Sequence, residues 1–197
     1  MLIDISQEVF SCRVYPGDPA PERERLQCLE HGDACNLTAF SMCAHNGTHV
    51  DAPFHFFQDG DTVGEMGLVP FVGPCYVARH AGDVTAQDAH AILARAGDCK
   101  RLLLAGDLTV TAGAAAVFAD AGLWLLGNES QTVGPETAPR HVHLLLLGAR
   151  TVLLEGIVLA GVAEGRYFLS AAPLHLGGCD GAPCRAYLMT GEDWHEA

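Results

Sequence analysis

The feature that most constrains this chain is a short run in its first quarter, dense in side chains that bind metal or move protons. The run reads His45-Asn46-Gly47-Thr48-His49-Val50-Asp51-Ala52-Pro53-Phe54-His55. Gly47 and Pro53 interrupt it, and because both residue types destabilise a helix interior, the run cannot form a continuous helical face. It has to be built from strand and turn. It therefore lacks the helical spacing of a HExxH zinc site.

Three groups in this run, His45, His49 and Asp51, are candidate metal ligands. In an extended strand, positions 45, 49, 51 and 55 share a parity, so we expect their side chains to point to one face. Neutral imidazole and carboxylate suit zinc, manganese or iron. The alternative is a surface loop whose histidines only form hydrogen bonds. The density of such groups favours a metal site.

Further ligands are expected where another element ends near the same place. His141 and His143 lie in a predicted helix over residues 139–147, and both are candidates. Glu155 follows a predicted apolar strand over residues 151–154, and functional groups are common at the carboxyl ends of strands in α/β sheets. A solvated turn residue is the alternative for Glu155.

Apolar strand patterns alternate with helical patterns through the middle of the chain. Thr85, with Asp88 three residues on, can cap a helix over residues 85–96, and a second helix is predicted over residues 112–121. Besides the strand at residues 151–154, strands are predicted over residues 2–5, 37–44, 75–78, 102–104, 123–126, 167–171 and 184–189. Of these, residues 37–44 alternate like a half-buried strand that leads into His45. The pattern predicts an α/β fold around a mixed sheet, in a single domain spanning residues 1–197.

Composition excludes several classes of partner. The chain has 11 Lys+Arg against 24 Asp+Glu, a net charge of −13, whereas a polyanion-binding surface needs a basic excess. No apolar run approaches the roughly 20 residues needed to span a bilayer, and the first residues lack signal-peptide features. We therefore expect a cytoplasmic protein that binds neither nucleic acid nor membrane.

Eight cysteines are present, and no two are separated by two residues, as the paired ligands of a zinc knuckle would be. Reduced thiols are expected, several of them acting as small core residues. A nucleophilic Cys43, two residues before His45, is a weaker alternative.

The run from His45 to His55 closely resembles the His-x-Gly-Thr-His-x-Asp-x-Pro-x-His signature of the cyclase-like metal-dependent hydrolases. That family includes bacterial kynurenine formamidase and isatin hydrolase. Similar segments extend over nearly the whole chain: Tyr15-Pro16-Gly17-Asp18, Gly73-Pro74-Cys75, Leu154-Glu155-Gly156 and Asp180-Gly181-Ala182-Pro183.

The resemblance implies a swivelling β/α/β fold and a role for each site residue. The implied metal ligands are His45, His49, Asp51, His143 and Glu155. His143 is selected over His141 because the family's second histidine lies twelve residues before the glutamate. His55 is the implied catalytic residue, which moves a proton between water and the leaving nitrogen. Tyr15 is the implied substrate contact.

By resemblance the cofactors are two divalent metal ions, most often zinc and sometimes manganese, and the assembly is a homodimer or homotetramer. The implied reaction belongs to tryptophan catabolism: hydrolysis of a small aromatic amide, N-formylkynurenine, to kynurenine and formate. Three departures bear on the substrate. Tyr15 stands where formamidases usually carry tryptophan, and residues 127–132 read Gly-Asn-Glu-Ser-Gln-Thr in place of Gly-Ile-Asp-Thr-Pro-Ser. The stretch between Lys100 and Leu123 is also shorter than the family's usual middle segment.

Three alternatives follow from these features. A cyclic-amide hydrolase of the isatin kind would keep the metal chemistry and change the substrate. A metal-dependent small-molecule-binding protein would keep the ligands without catalysis. A cysteine-based redox protein would be indifferent to chelators and sensitive to thiol alkylation.

Overall fold

The computed structural model describes residues 1–191 and is organised around one nine-stranded sheet. The strands of this part of the chain are β1 Leu2–Asp4, β2 Glu22–Gln27, β3 Leu37–Ser41, β4 His49–Asp51, β5 Val72–Arg79, β6 Gly82–Val84, β7 Arg101–Ala105, β8 Leu108–Val110, β9 Leu125–Asn128, β10 Val152–Glu155, β11 Gly165–Ser170, β12 Gly181–Pro183 and β13 Tyr187–Met189. Their order in the large sheet is β1-β13-β11-β5-β7-β9-β10-β4-β12.

The centre of the sheet is parallel and both of its ends are antiparallel. Strands β5, β7, β9 and β10 run parallel to one another, whereas β11 and β4 join this centre in the antiparallel sense. Strand β7 is buried along its whole length, as its continuous apolar sequence predicts for a strand covered on both faces. The predicted α/β fold around a mixed sheet is confirmed.

Three helices form a layer on one face of the sheet: α1 Ala86–Ala96, α2 Ala112–Asp120 and α3 Arg140–Gly148. Each agrees with its predicted range to within one residue at either end. Thr85 and Asp88 form a complete capping box at the start of α1. Among residues 1–191, no helix combines the length and apolar character that crossing a membrane requires.

The core lies on both sides of β7 because its side chains alternate. Leu102 and Leu104 pack beneath the helices with Ile92 of α1 and Phe118 of α2. Leu103 faces the opposite side, in a second cluster that residues from the antiparallel ends and connecting loops complete. The alternation follows from the two-residue period of a strand.

Residues 37–44 differ from their prediction. The strand ends at Ser41, every residue of it is exposed, and among residues 1–191 it pairs only with β2. The two strands form a ribbon outside the large sheet, so neither has a face packed on the core. Alternating sequence predicts extended structure, but what the strand pairs with depends on the rest of the chain.

Two other segments are more broken than predicted. Residues 42–48 form turns instead of continuing a strand into His45. The predicted strand over residues 184–189 is shortened to β13, and Cys184 lies outside it, in an isolated bridge with Pro173.

Candidate metal centre

The seven residues to which the family resemblance assigns a role all lie around one cleft, which we call the His–Asp cleft. Its lining comprises Tyr15, Asp18, His45, His49, Asp51, His55, Phe56, Gln131, Thr132, Pro139, His143 and Glu155. The cavity volume is about 190 Å³, below the roughly 300–1,000 Å³ of drug-sized ligand pockets, so it suits a small substrate. His141 is exposed, and only His143 of that pair reaches the cleft.

Strand pairing brings the two halves of the site together. Antiparallel pairing of β4 with β10 places Glu155 directly opposite His49, so their side chains project from one face. Asp51, two residues along β4, shares that face. The predicted parity therefore holds for His49 and Asp51, and all three side chains are almost fully buried.

His45 and His55 reach the cleft by turns, so the parity prediction is wrong for them. His45 lies in the turn before β4, where Gly47 adopts a φ of +65°. His55 ends a single 3-10 turn that begins at Pro53. A side chain at position 181 would place its Cβ 2.7 Å from His45 Cε1, which explains the glycine there.

The two buried carboxylates, Asp51 and Glu155, both face His49 and His143, and Asp51 also faces His45. His49 Nε2 lies 3.4 Å from Asp51 Oδ1 and 3.5 Å from Glu155 Oε2. His143 Nε2 lies 3.5 Å from Asp51 Oδ2 and 3.3 Å from Glu155 Oε1. Each carboxylate thus presents one oxygen to His49 and the other to His143.

These separations fit a metal centre better than a hydrogen-bond network. They exceed the usual hydrogen-bond length, but two ligand atoms on one tetrahedral zinc, each about 2.0–2.1 Å from it, stand about 3.3 Å apart. Among residues 1–191, three groups could each hold a metal ion: Asp51, His143 and Glu155; His45, His49 and Asp51; and His45, His55 and Asp180. Imidazole and carboxylate donors of this kind fit a divalent metal ion.

Backbone contacts orient the imidazoles for this role. His49 Nδ1 lies 3.0 Å from the Gly47 carbonyl oxygen, and His143 Nδ1 lies 3.0 Å from that of Pro139. A bond to a carbonyl assigns the proton to Nδ1 and turns Nε2 toward the carboxylates, as in metal-binding histidines. Glu155 Oε1 also accepts a hydrogen bond from the Val133 backbone N–H, at 2.7 Å.

The electrostatics of the cluster favour cations. Burial by itself would lower the pKa of each imidazole, but the facing carboxylates raise the pKa of His49 to about 9 and that of His143 to about 10. Burial would likewise raise the carboxyl pKa of Asp51, yet His143 and His45 hold that pKa well below its usual range. Two buried carboxylates that hold protons this firmly on the neighbouring imidazoles also favour a divalent ion in place of those protons.

Asp180 is a residue that the sequence prediction left out of the site. Its Oδ2 lies 2.8 Å from His45 Nε2 and 3.1 Å from His55 Nδ1, so it joins the two rings that arrive by turns. Those contacts hold the Asp180 pKa below its usual value. With Asp180 on one nitrogen and Asp51 2.8 Å from the other, the pKa of His45 rises to about 11 despite burial. The available signal was the family segment that begins at Asp180.

The wall of the cleft contains aromatic and amide groups. The Phe56 ring packs 4.9 Å from the ring of His143, centroid to centroid. The Tyr15 hydroxyl donates a 2.8 Å hydrogen bond to the Glu136 carbonyl oxygen. Gln131 donates to the Gly47 carbonyl oxygen at 3.2 Å.

Residues 127–132, which depart from the family sequence, have two different positions relative to the cleft. Gln131 and Thr132 line the cleft, whereas Glu129 does not. Glu129 instead accepts hydrogen bonds from the backbone N–H groups of Gly106 and Leu159, at 2.7 and 2.8 Å. Glu129 therefore links two loops outside the cleft. Of residues 127–132, Gln131 and Thr132 are the ones placed to contact a substrate.

Curated relatives cover nearly the whole chain. It is 34% identical to the kynurenine formamidase of Sphingopyxis alaskensis over 202 residues, which cover 94% of this chain and 96% of the relative. It is 32% identical to the kynurenine formamidase of Salinibacter ruber, with 98% of this chain and 99% of the relative covered.

Solved structures share the fold. A structure described as a potential metal-dependent hydrolase with cyclase activity matches with a TM-score of 0.81 at 28% identity, covering 95% of this chain and 96% of that one. Isatin hydrolase A from Labrenzia aggregata matches with a TM-score of 0.84 at 22% identity, covering 98% and 94%, which shows the shared fold alone. The sequence profile of the Cyclase family matches residues 3–138. The chain therefore belongs to the Cyclase family.

Proposed function

We propose that this chain is a metal-dependent arylformamidase that hydrolyses N-formylkynurenine to kynurenine and formate. The observation that carries the proposal is the pair of buried carboxylates, Asp51 and Glu155, which both face His49 and His143. His55 lies beside them and contacts Asp180 instead. The full-length relatives named kynurenine formamidase favour this reaction over other amide hydrolyses.

The residues proposed to hold two divalent ions, zinc or manganese, are His45, His49, Asp51, His143 and Glu155. Ions bound there would polarise the amide carbonyl, stabilise negative charge on its oxygen and lower the pKa of water toward about 7. The burial of Asp51 and Glu155 supports this assignment, because two buried negative charges need cationic partners.

His55 is proposed to move the proton. Its Nδ1 faces Asp180 Oδ2 at 3.1 Å, which leaves Nε2 for the reacting groups. The imidazole takes a proton from water as the oxygen attacks the formyl carbon, and it gives that proton to the amide nitrogen as the C–N bond breaks. The products are the aryl amine and formate.

The wall residues are proposed to orient the aromatic ring of the substrate. Tyr15, Phe56 and Pro139 present ring surfaces to the cleft. Apolar walls exclude water and stack on an aryl group.

An assay of purified protein loaded with zinc or manganese tests this proposal. We expect release of kynurenine and formate from N-formylkynurenine, and little ring opening of isatin. His55→Ala should lower kcat about 10²- to 10⁴-fold with metal still bound, while the exposed His141→Ala serves as a matched control with wild-type kcat. Preferred turnover of isatin would replace formamidase with the cyclic-amide activity, and a fully active His55→Ala variant would refute the proton-transfer role.

We further propose that the chain forms a homodimer or homotetramer through the β2–β3 ribbon. Every residue of both strands is exposed, including Leu26 and Phe40, and an isolated two-stranded ribbon is only marginally stable in water. Light scattering on Phe40→Asp, compared with Glu24→Gln on the same ribbon, tests this: only the Phe40→Asp variant should dissociate.

The cytoplasmic location expected from the sequence stays a prediction.

A further inference from the structure

We propose that two paired amides, those of Gln7 and Gln131, position the metal centre by holding the backbone carbonyl that orients His49. We call these two side chains the amide pair. The inference rests on the proposed function, in which His49 and Glu155 are metal ligands. It assigns part of the affinity for metal to two side chains outside the ligand set.

Backbone groups fix the direction of the Gln7 amide. Its Oε1 accepts a 2.9 Å hydrogen bond from the Arg13 backbone N–H, and its Nε2 donates a 2.7 Å hydrogen bond to the Gly156 carbonyl oxygen. A backbone N–H can only donate and a carbonyl can only accept, so the oxygen and nitrogen of this amide cannot be exchanged. The same Nε2 also donates to Gln131 Oε1, at 2.8 Å.

The direction of the first amide determines that of the second. Gln131 is 6% exposed, and because its Oε1 accepts from Gln7, its Nε2 is the donor to the Gly47 carbonyl oxygen, at 3.2 Å. That carbonyl oxygen also lies 3.0 Å from His49 Nδ1. Since the oxygen can only accept, the imidazole proton lies on Nδ1, and Nε2 is left to bind metal. A carbonyl held by two donors keeps the ring in one tautomer and one orientation.

Gly156 connects the amide pair to the other half of the site. It directly follows Glu155 and adopts a φ of +67°. A Cβ added there would lie 2.3 Å from Gln131 Oε1 and 2.3 Å from the Gly47 carbonyl oxygen, so the network occupies the space that a side chain would fill. The Gly156 carbonyl oxygen also accepts a 2.7 Å hydrogen bond from Thr48 Oγ1. The network therefore ties the turn before β4 to the end of β10.

The amide pair departs from the family sequence. In the family segment Gly-Ile-Asp-Thr-Pro-Ser, proline stands where this chain has Gln131, and a proline side chain neither donates nor accepts a hydrogen bond. A role in packing alone would make the pair contribute to stability only. A role in positioning predicts, in addition, a loss of metal affinity when either amide is removed.

Zinc affinities of Gln7→Met and Gln131→Met test the inference, because methionine keeps the length of the side chain and removes the amide. Titration of the metal-free protein with zinc against a competing chelator should give a Kd about 10-fold higher for each variant, as for other groups that support metal-binding histidines. The double variant should lie within about twofold of either single variant, because both amides act through one carbonyl. Gln7 does not line the His–Asp cleft, so its variant leaves the lining unchanged.

Asn128→Leu is the matched control. It removes another buried amide of the same loop as Gln131, one that donates to the Thr132 carbonyl oxygen. Its zinc Kd should stay within about twofold of the wild type even if its stability falls. A second measurement needs no variant: ¹H–¹⁵N spectra of the zinc-loaded wild type, labelled at histidine, should place the His49 proton on Nδ1.

Four results would overturn the inference. They are wild-type zinc affinity in both single variants, additive losses of about 100-fold in the double variant, an equal loss in Asn128→Leu, and a His49 proton on Nε2. Zinc binding is measured without substrate, so these results decide the inference whether or not N-formylkynurenine is hydrolysed. Failure of the proposed reaction is thereby distinguished from failure of the positioning role.

Discussion

His45 and His55 lie side by side, with ring centroids 4.2 Å apart, yet their nitrogens have different partners. His45 is held at both nitrogens by Asp51 and Asp180, whereas His55 is held at Nδ1 alone. With Asp180 holding one nitrogen of His45, the other nitrogen could bind a metal ion together with Asp51, whereas the second nitrogen of His55 is left for proton transfer. Asp180 contacts both rings, and Asp51, which of the two contacts His45 alone, makes this distinction.

Asp180→Asn should therefore impair turnover without unfolding the protein. Loss of the negative charge weakens the orientation of His55 and of His45, so we expect kcat to fall about 10- to 100-fold, as for other changes to groups that support metal-site histidines. Steady-state kinetics at saturating metal measures the effect. Asp120→Asn, an exposed change at the end of α2, is the control. Wild-type kcat in Asp180→Asn would show that Asp180 does not orient the proton-transfer residue.

Most residues of the site could be predicted from the sequence. The ligand run is contiguous, so its chemistry is visible without a fold. Asp180 was missed because its role depends on β12 pairing with β4, which brings residues far apart in sequence together.

In the loop after β9, Glu129 departs from the family sequence and has a structural role. Glu129 joins the loop after β7 to the segment that follows β10, through two backbone hydrogen bonds. Because these loops flank the parallel centre of the sheet, the glutamate stabilises the edge that carries Gln131 without contacting the cleft.

Glu129→Ala should lower the free energy of unfolding by about 1–3 kcal/mol, because two backbone donors lose a charged acceptor. KM for the formamide should stay near that of the wild type. Urea unfolding at fixed protein concentration measures the first quantity, and Glu24→Ala on the exposed ribbon is the control. A large change in KM with unaltered stability would instead place Glu129 in the substrate site.

The helices were predictable and the strand arrangement was not. Caps such as Thr85 and the apolar period of α1 are local signals, so the helix bounds follow from a few neighbouring residues. The exposed position of β3 and the insertion of β4 between β10 and β12 depend on pairing between distant segments. Local sequence cannot specify such pairing.

Over the whole molecule, the metal-free protein should lose stability as the pH rises. His49, His143 and His45 have pKa values of about 9, 10 and 11 in the folded chain, against about 6.5 when unfolded. The raised imidazole pKa values stabilise the fold fully below a pH of about 6.5. This contribution is lost as the pH rises through the pKa values of the folded chain. Asp51 and Asp180, with lowered pKa values, contribute above about pH 4 and lose that contribution in acid.

Thermal unfolding in the presence of a chelator measures this dependence. We expect Tm to fall by on the order of 5 °C or more between pH 6 and pH 10. The metal-loaded protein should decline less over the same range, because its imidazoles are already neutral ligands. A chelated protein whose Tm rises across this range would contradict the assigned electrostatics of the cluster.

If the His–Asp cleft acts as proposed, hydrolysis depends on divalent metal that the cleft holds. The most direct measurement removes metal with a strong chelator, then restores zinc or manganese while bound metal and formate release from N-formylkynurenine are both counted. We predict loss of turnover on removal and recovery in step with the binding of two ions per chain. Thiol alkylation should leave turnover unchanged, because no cysteine lines the cleft in the described part of the chain. Full turnover in protein shown to be metal-free, or no turnover after two ions have bound, would contradict the account.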